Sequence, residues 1–315
     1  MLFRSKNEEL NHAKIWDQEG VLYLNLGAEP TYLNPILSTD SPSSAVEGMV
    51  YNGLMRSNES LDLVPDLAAT YNISEDGKTY TFTLHPDIKW HDGKQLTAAD
   101  VKYTFEKILN PKTNTVRRSN FMIEGKPIKF KMINDLTIQA TLPQPFAPFL
   151  VHMTMGIIPK HIFEKEDINT SSYNRNPIGS GPFIFKEWKA GQFVRLVRNE
   201  NYFGKKPKLK EILMKIIPDE NTAIVALEKG EIDESSIPAK DFDRFQNHKV
   251  LDIYRYYALS YTYFAFNLKK PEFKDIRVRQ AIAYAIDKSV IVKGVLKGFG
   301  QLAHLPASPV SWAYP

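Results

Sequence analysis

The chain has 315 residues, of which 43% are hydrophobic and 24% charged, proportions of an ordinary globular protein with room for about two domains. Lys and Arg number 40 against 36 Asp and Glu, a net charge of +4 with no basic run, interleaved aromatics or polybasic tail, which argues against a nucleic-acid surface. Cysteine is absent, which excludes a disulfide framework, a thiolate nucleophile and Cys-ligated zinc.

In chain order, the first nine residues, Met1 to Glu9, lack the apolar core of a signal peptide. Val21 to Leu26 reads as a strand, followed by a Pro-rich loop from Glu29 to Pro42 and a short helix from Ala45 to Tyr51. Asp76-Gly77 marks a turn, and Thr79 to Leu84 alternates, with Tyr80, Phe82 and Leu84 on one side and three threonines on the other. A second turn falls at His91-Asp92-Gly93. Thr97 with Asp100 opens a helix whose Val101, Phe105 and Ile108 share a face, and Pro111 stops it.

Two alternating runs follow, Ile128-Phe130-Met132 and Ile138-Ala140-Leu142. The longest stretch without a charge, Leu136 to Pro159, contains Pro143, Pro145 and Pro148, a pattern incompatible with a bilayer helix. Strands are expected at Phe183 to Trp188, Phe193 to Arg198, Ile212 to Ile217 and Ser260 to Asn267. Asp219 caps a helix ended by Gly230, and Asp275 caps the last long helix. Without a strict βαβ repeat, the class is α/β or α+β with more than one sheet.

Motifs for chemistry are sparse. Gly179-Ser180-Gly181-Pro182-Phe183 is no nucleophile elbow, because Pro182 removes an N–H that an oxyanion hole needs, and it reads as a turn before a strand. His85 and His91 flank a turn at no metal-ligand spacing and read as surface or turn residues. No Walker motif, GxGxxG or calcium loop is present, so no cofactor is expected and no metal site is assigned. A carboxylate-dependent hydrolase would have to use Asp233-Glu234 or Asp241 and Asp243, and a solvated face explains both clusters.

Several blocks in order resemble one family. They are Glu29-Pro30-Thr31-Tyr32-Leu33-Asn34-Pro35, Glu47 to Leu54, Pro65-Asp66-Leu67-Ala68, Ser74 to Leu84, Lys89-Trp90-His91-Asp92-Gly93-Lys94 and Thr97 to Val101. Gly179 to Phe183, Arg198 to Phe203, Gly230-Glu231-Ile232-Asp233 and Asp275 to Ile282 continue the set. Together they resemble the family 5 extracellular solute-binding proteins, receptors of ABC importers for peptides and nickel chelates.

The resemblance implies a mixed α/β, periplasmic-binding-protein-like fold of two lobes (type II) with an inserted subdomain. Lobe I would comprise 1–48 and 176–268, the subdomain 49–175, and lobe II would start at 269. Family members run well beyond the point matching Pro315 and carry an export signal. The chain is therefore expected to be a fragment with most of the second lobe missing, binding peptide poorly, if at all, by itself.

The resemblance further implies a monomer outside the inner membrane, with a peptide or other small solute as ligand and permease subunits as partners. It places Thr39, Asp40 and Ser41 on the cleft wall and Arg117 and Asn120 in a subdomain loop reaching toward ligand. His152 falls at a ligand-facing position, and Ser236, Tyr261 and Tyr263 near cleft and hinge. Each has a plainer reading: Asp40 capping a loop, Arg117 a solvated residue, His152 a core histidine, and the two tyrosines core aromatics of a strand.

Overall fold

The computed structural model describes residues 20–256, 261–305 and 308, which leaves the Met1 to Glu9 segment and Ser260 outside it. The described residues form two compact units, one ending at Ser235 and the other beginning at Ser236.

The first unit opens with β1 (Val21–Asn25) and α1 (Ser41–Val50), then a small hairpin of β2 (Met55–Ser57) and β3 (Leu63–Pro65). Next come β4 (Ala68–Ile73), β5 (Thr79–Leu84) and α2 (Ala98–Leu109). A 3₁₀ turn, Arg117–Phe121, leads into the short pair β6 (Met122–Ile123) and β7 (Lys126–Pro127). After β8 (Lys129–Asn134) and β9 (Thr137–Thr141) lie the short helices α3 (Phe149–His152) and α4 (Lys160–Phe163). The unit closes with β10 (Phe183–Lys189), β11 (Phe193–Arg198), β12 (Glu211–Lys215) and α5 (Glu220–Glu228).

These strands make two four-stranded sheets. One has the order β1-β12-β11-β10, with β1 parallel to β12 and the other pairs antiparallel. The other, β4-β5-β9-β8, is antiparallel throughout. The alternation read in β5 is the burial pattern found: Tyr80, Phe82 and Leu84 are buried and the threonines are not. Side chains on a strand alternate between faces, so one face joins the core.

α2 covers this second sheet. Thr97 and Asp100 form a reciprocal capping box at its start, satisfying two N–H groups that the first turn leaves open. Val101, Phe105 and Ile108 are buried beneath it, and Phe105 stacks on Phe130 with ring centroids 4.2 Å apart. The core is continuous, drawing Phe82 and Ile138 from one sheet and Val194, Leu196 and Met214 from the other.

Two expectations need correction here. α1 starts at Ser41 rather than Ala45, because Asp40 caps it and Pro42 stands in the first turn, where a missing N–H costs no helical hydrogen bond. Residues 261–267 form no strand. Alternation alone cannot make one; a strand needs a neighbour for its N–H and C=O groups, and none pairs with this segment among the described residues.

The second unit contains α6 (Phe242–Phe245), α7 (Ile276–Ala285) and α8 (Lys288–Val290). Asp275 caps α7 as expected, accepting the Arg277 N–H at 2.9 Å. Phe245 is fully buried, whereas no described residue of α7 is.

Candidate ligand-binding cleft

A cleft of about 370 Å³ lies in the first unit beside α1, and its lining includes Pro35, Glu47, Tyr51, Arg117, Asn120 and His152. Phe121, Val151 and Met155 add apolar wall. Four parts of the chain meet here: the loop at Pro35, α1, the 3₁₀ turn at Arg117–Phe121, and the end of α3 with the residues just after it.

α1 is positioned by its cap. The Asp40 carboxylate accepts the Ser43 N–H at 2.8 Å and a hydrogen bond from the Thr31 hydroxyl. Partial burial works to raise this carboxyl, but the bonds from Thr31 and Ser43 hold it below its ordinary value. Asp40→Ala is expected to cost about 1 kcal/mol of stability, the usual worth of an N-cap. Chemical denaturation checks this, and an unchanged midpoint would show the cap to be redundant. Thr39 and Ser41 flank the cap and are exposed.

Arg117 is anchored from beside the cleft. Its Nη2 donates to the Ser38 carbonyl at 2.9 Å, and the neighbouring Thr115 hydroxyl donates to the Ile36 carbonyl at 2.7 Å. Arg117 Nε is buried and has no hydrogen-bond partner. Asn120 is exposed at the cleft. His152 ends α3 half-buried, its ring nearly parallel to Phe146 at 6.1 Å and tilted against Phe121 at 5.8 Å. Burial lowers its basicity, so the imidazole is neutral at pH 7.

The far end of α1 is held by main chain. A Cβ on Gly179 would lie 1.9 Å from the Val50 carbonyl oxygen, and one on Gly156 2.7 Å from Tyr51 Cβ. Gly181 N–H donates to the Val50 carbonyl at 2.8 Å. The Gly179 to Phe183 run is thus the expected turn before β10, with an added role as a brace. His91 completes the brace and is no surface residue: its Nδ1 accepts the Gly179 N–H at 3.3 Å, so Nε2 carries the proton and donates to the Gly181 carbonyl at 3.0 Å. Burial holds His91 down at about 4.

Sequence reasoning did not single out Glu47, Ser38 or Tyr51. A signal was present: Ser43, Val46, Glu47 and Val50 fall at helical spacing, and all four are buried on the inward face of α1. The Ser38 hydroxyl donates to Glu47 Oε2 at 2.8 Å. The hydrolase carboxylates are engaged elsewhere. Asp233 accepts the Tyr23 N–H at 2.7 Å, Asp243 pairs with Lys297 at 3.0 Å, and neither lines the cleft.

Ser236, Tyr261 and Tyr263 belong to the second unit, where the two tyrosine rings lie 5.6 Å apart and tilted by 44°. Among the described residues no group of three His, Cys, Asp or Glu is placed to hold a metal ion, and no helix is long and apolar enough to cross a membrane.

Two sheets over one core, with a cleft of small-molecule size and a few convergent polar groups, define a mixed α/β body with a candidate small-molecule site. Comparison with known proteins narrows this. Residues 62–315 match the bacterial extracellular solute-binding proteins, family 5, middle region, and the chain belongs to that family.

It is 37% identical over 304 residues to the oligopeptide-binding protein AppA of Bacillus subtilis, covering 95% of this chain and 55% of AppA. To the dipeptide-binding protein of Escherichia coli it is 30% identical over 318 residues, covering 93% and 59%. Among solved structures, AppA from Bacillus subtilis in complex with a nonapeptide gives a TM-score of 0.88 at 36% identity, covering 94% of this chain and 59% of that one. NikZ from Campylobacter jejuni in complex with Ni(L-His) gives 0.82 at 36%, covering 91% and 57%. The chain thus spans between 55% and 59% of the length of these relatives.

Proposed function

We propose that the chain is part of the solute-binding receptor of an ABC importer, acting outside the inner membrane as a monomer without altering its ligand. It captures a di- or oligopeptide and delivers it to membrane permease subunits. The observation that carries this reading is the convergence of Arg117, Asn120 and His152 on one cleft of about 370 Å³, a size within the usual range for small-molecule sites. The names of AppA and the dipeptide-binding protein support a peptide. A nickel chelate is the second reading, favoured by the likeness to NikZ and by the neutral His152 beside the cleft.

In this reading Thr39, Asp40, Ser41, Arg117, Asn120 and His152 serve the ligand cleft, and Ser236, Tyr261 and Tyr263 serve cleft and hinge. Lobe I comprises 1–48 and 176–268, the inserted subdomain 49–175, and lobe II begins at 269. The grouping of β1 with β10 to β12 in one sheet, and of β4, β5, β8 and β9 in another, supports the first division. The stretch 236–268 groups by compactness with the residues after it and is assigned to lobe I by the family resemblance alone.

The test is an amide NMR titration with alanine di- to pentapeptides, then with the nickel–histidine complex. Peptides are expected to shift the amides around Arg117, Asn120 and His152. Arg117→Ala is expected to weaken binding about 10- to 100-fold, the worth of a charged hydrogen bond of about 1.5–3 kcal/mol. No response up to about 10 mM peptide, where even about 3 kcal/mol of binding would register, would sink the reading of this cleft as a peptide site.

A further inference from the structure

The cleft-lining group that peptide recognition leaves unassigned is Glu47. Only 6% of it is exposed, and its two oxygens differ: Oε2 accepts from the Ser38 hydroxyl at 2.8 Å, while Oε1 is buried with no partner. Ser38 also offers its carbonyl to Arg117 Nη2 at 2.9 Å, so one fully buried serine ties the carboxyl and the guanidinium into the same wall. Arg117 Nε is open as well. An unmet buried polar group destabilises the wall, and a ligand that meets it recovers that cost.

The charged and titratable groups around Glu47 are few. Arg117 comes from the 3₁₀ turn and Asp40 from the segment ahead of α1. Tyr51 stands one turn along α1, its hydroxyl donating to the Leu33 carbonyl at 3.2 Å. His152 lines the same cleft and is neutral at pH 7.

We propose that Glu47 adapts the cleft to solute charge: it takes up a proton from the solvent when an acid group enters beside Arg117, and stays ionised when an ammonium group enters. This rests on the cleft being the solute site. When protonated, Glu47 carries an O–H able to donate to an acid oxygen, and Arg117 leaves the wall positive. When ionised, Oε1 accepts an N–H, and the carboxylate and guanidinium cancel. Burial, outweighing the Ser38 bond and the Arg117 charge, raises this carboxyl to about 7, so both forms are accessible near neutrality.

The test follows the carboxyl stretch of Glu47, assigned by infrared difference between the wild-type chain and Glu47→Gln. It is titrated from about pH 5 to pH 9 in chloride, in excess sodium acetate and in excess methylammonium chloride. The midpoint is expected near 7 in chloride. Acetate is expected to raise it by about one pH unit and methylammonium to lower it by as much, as neighbouring charges do.

Should Glu47→Gln fail to fold, a carbon-detected titration of glutamate-labelled wild-type protein reads the same midpoint. A midpoint unmoved by both ions, or one near the ordinary 4.5, overturns the proposal. A midpoint moved by acetate while no peptide binds overturns the peptide reading alone, and peptide binding with an unresponsive Glu47 overturns this proposal alone.

Discussion

Gly179→Ala is expected to destabilise the first unit by about 4 kcal/mol, at the upper end of what a single substitution does. The added Cβ would sit 1.9 Å from the Val50 carbonyl oxygen and 2.7 Å from its carbon, atoms of a helix end that no rotamer change can move aside. Overpacking of this kind costs about 1–3 kcal/mol. Retracting the turn also strains the Gly181 to Val50 and His91 to Gly179 backbone bonds, both 2.8 Å, each worth about 1 kcal/mol. Gly48→Ala is the control: in α1 with nothing within 4 Å of its Cβ position, it is expected to stabilise by about 1 kcal/mol through helix propensity. Urea denaturation of the three proteins decides, and a loss below about 1 kcal/mol for Gly179→Ala would show that the turn backs away freely.

The second large effect is a pair of opposed pH dependences. Glu47 lies near 7 in the folded protein against an ordinary 4.5, so its favourable contribution is complete below 4.5 and lost as pH rises through 7. His91 lies near 4 against 6.5, so its contribution is complete above 6.5 and lost as pH falls through 4. Each spans about 3 kcal/mol, and between pH 4.5 and 6.5 their slopes oppose each other. Glu47→Gln removes one slope. The stability of wild type minus that of the variant is expected to fall by about 3 kcal/mol from pH 4.5 to 7, and the variant alone to weaken steadily from pH 6.5 downward. A difference that is flat with pH would place Glu47 in water rather than in the wall.

Legibility in the sequence followed how local the cause was. The capping box at Thr97 and Asp100 and the alternation of Tyr80, Phe82 and Leu84 act within a few residues, and both were readable. The start of α1 was not, because Pro42 signals a loop until Asp40 is seen to cap the turn that contains it. His91 stands in the turn as read, but the surface reading failed because its partners, Gly179 and Gly181, lie far along the chain. Arg117, Asn120 and His152 came from family resemblance, and their convergence with Glu47 depends on tertiary approach that no local pattern encodes. The alternation at 261–267 was legible as a pattern, yet a pattern without a neighbouring strand makes no sheet.

Backbone meets its surroundings without spacing side chains at Gly53, Gly156 and Gly179, where any Cβ would fall within 1.9 to 2.7 Å of another atom. The seat of the α1 end against the loops that follow α3 and precede β10 is therefore set by the polypeptide trace. A side chain exchanged on the cleft wall thus leaves the anchorage of that helix end in place, because glycine backbone rather than the wall carries it.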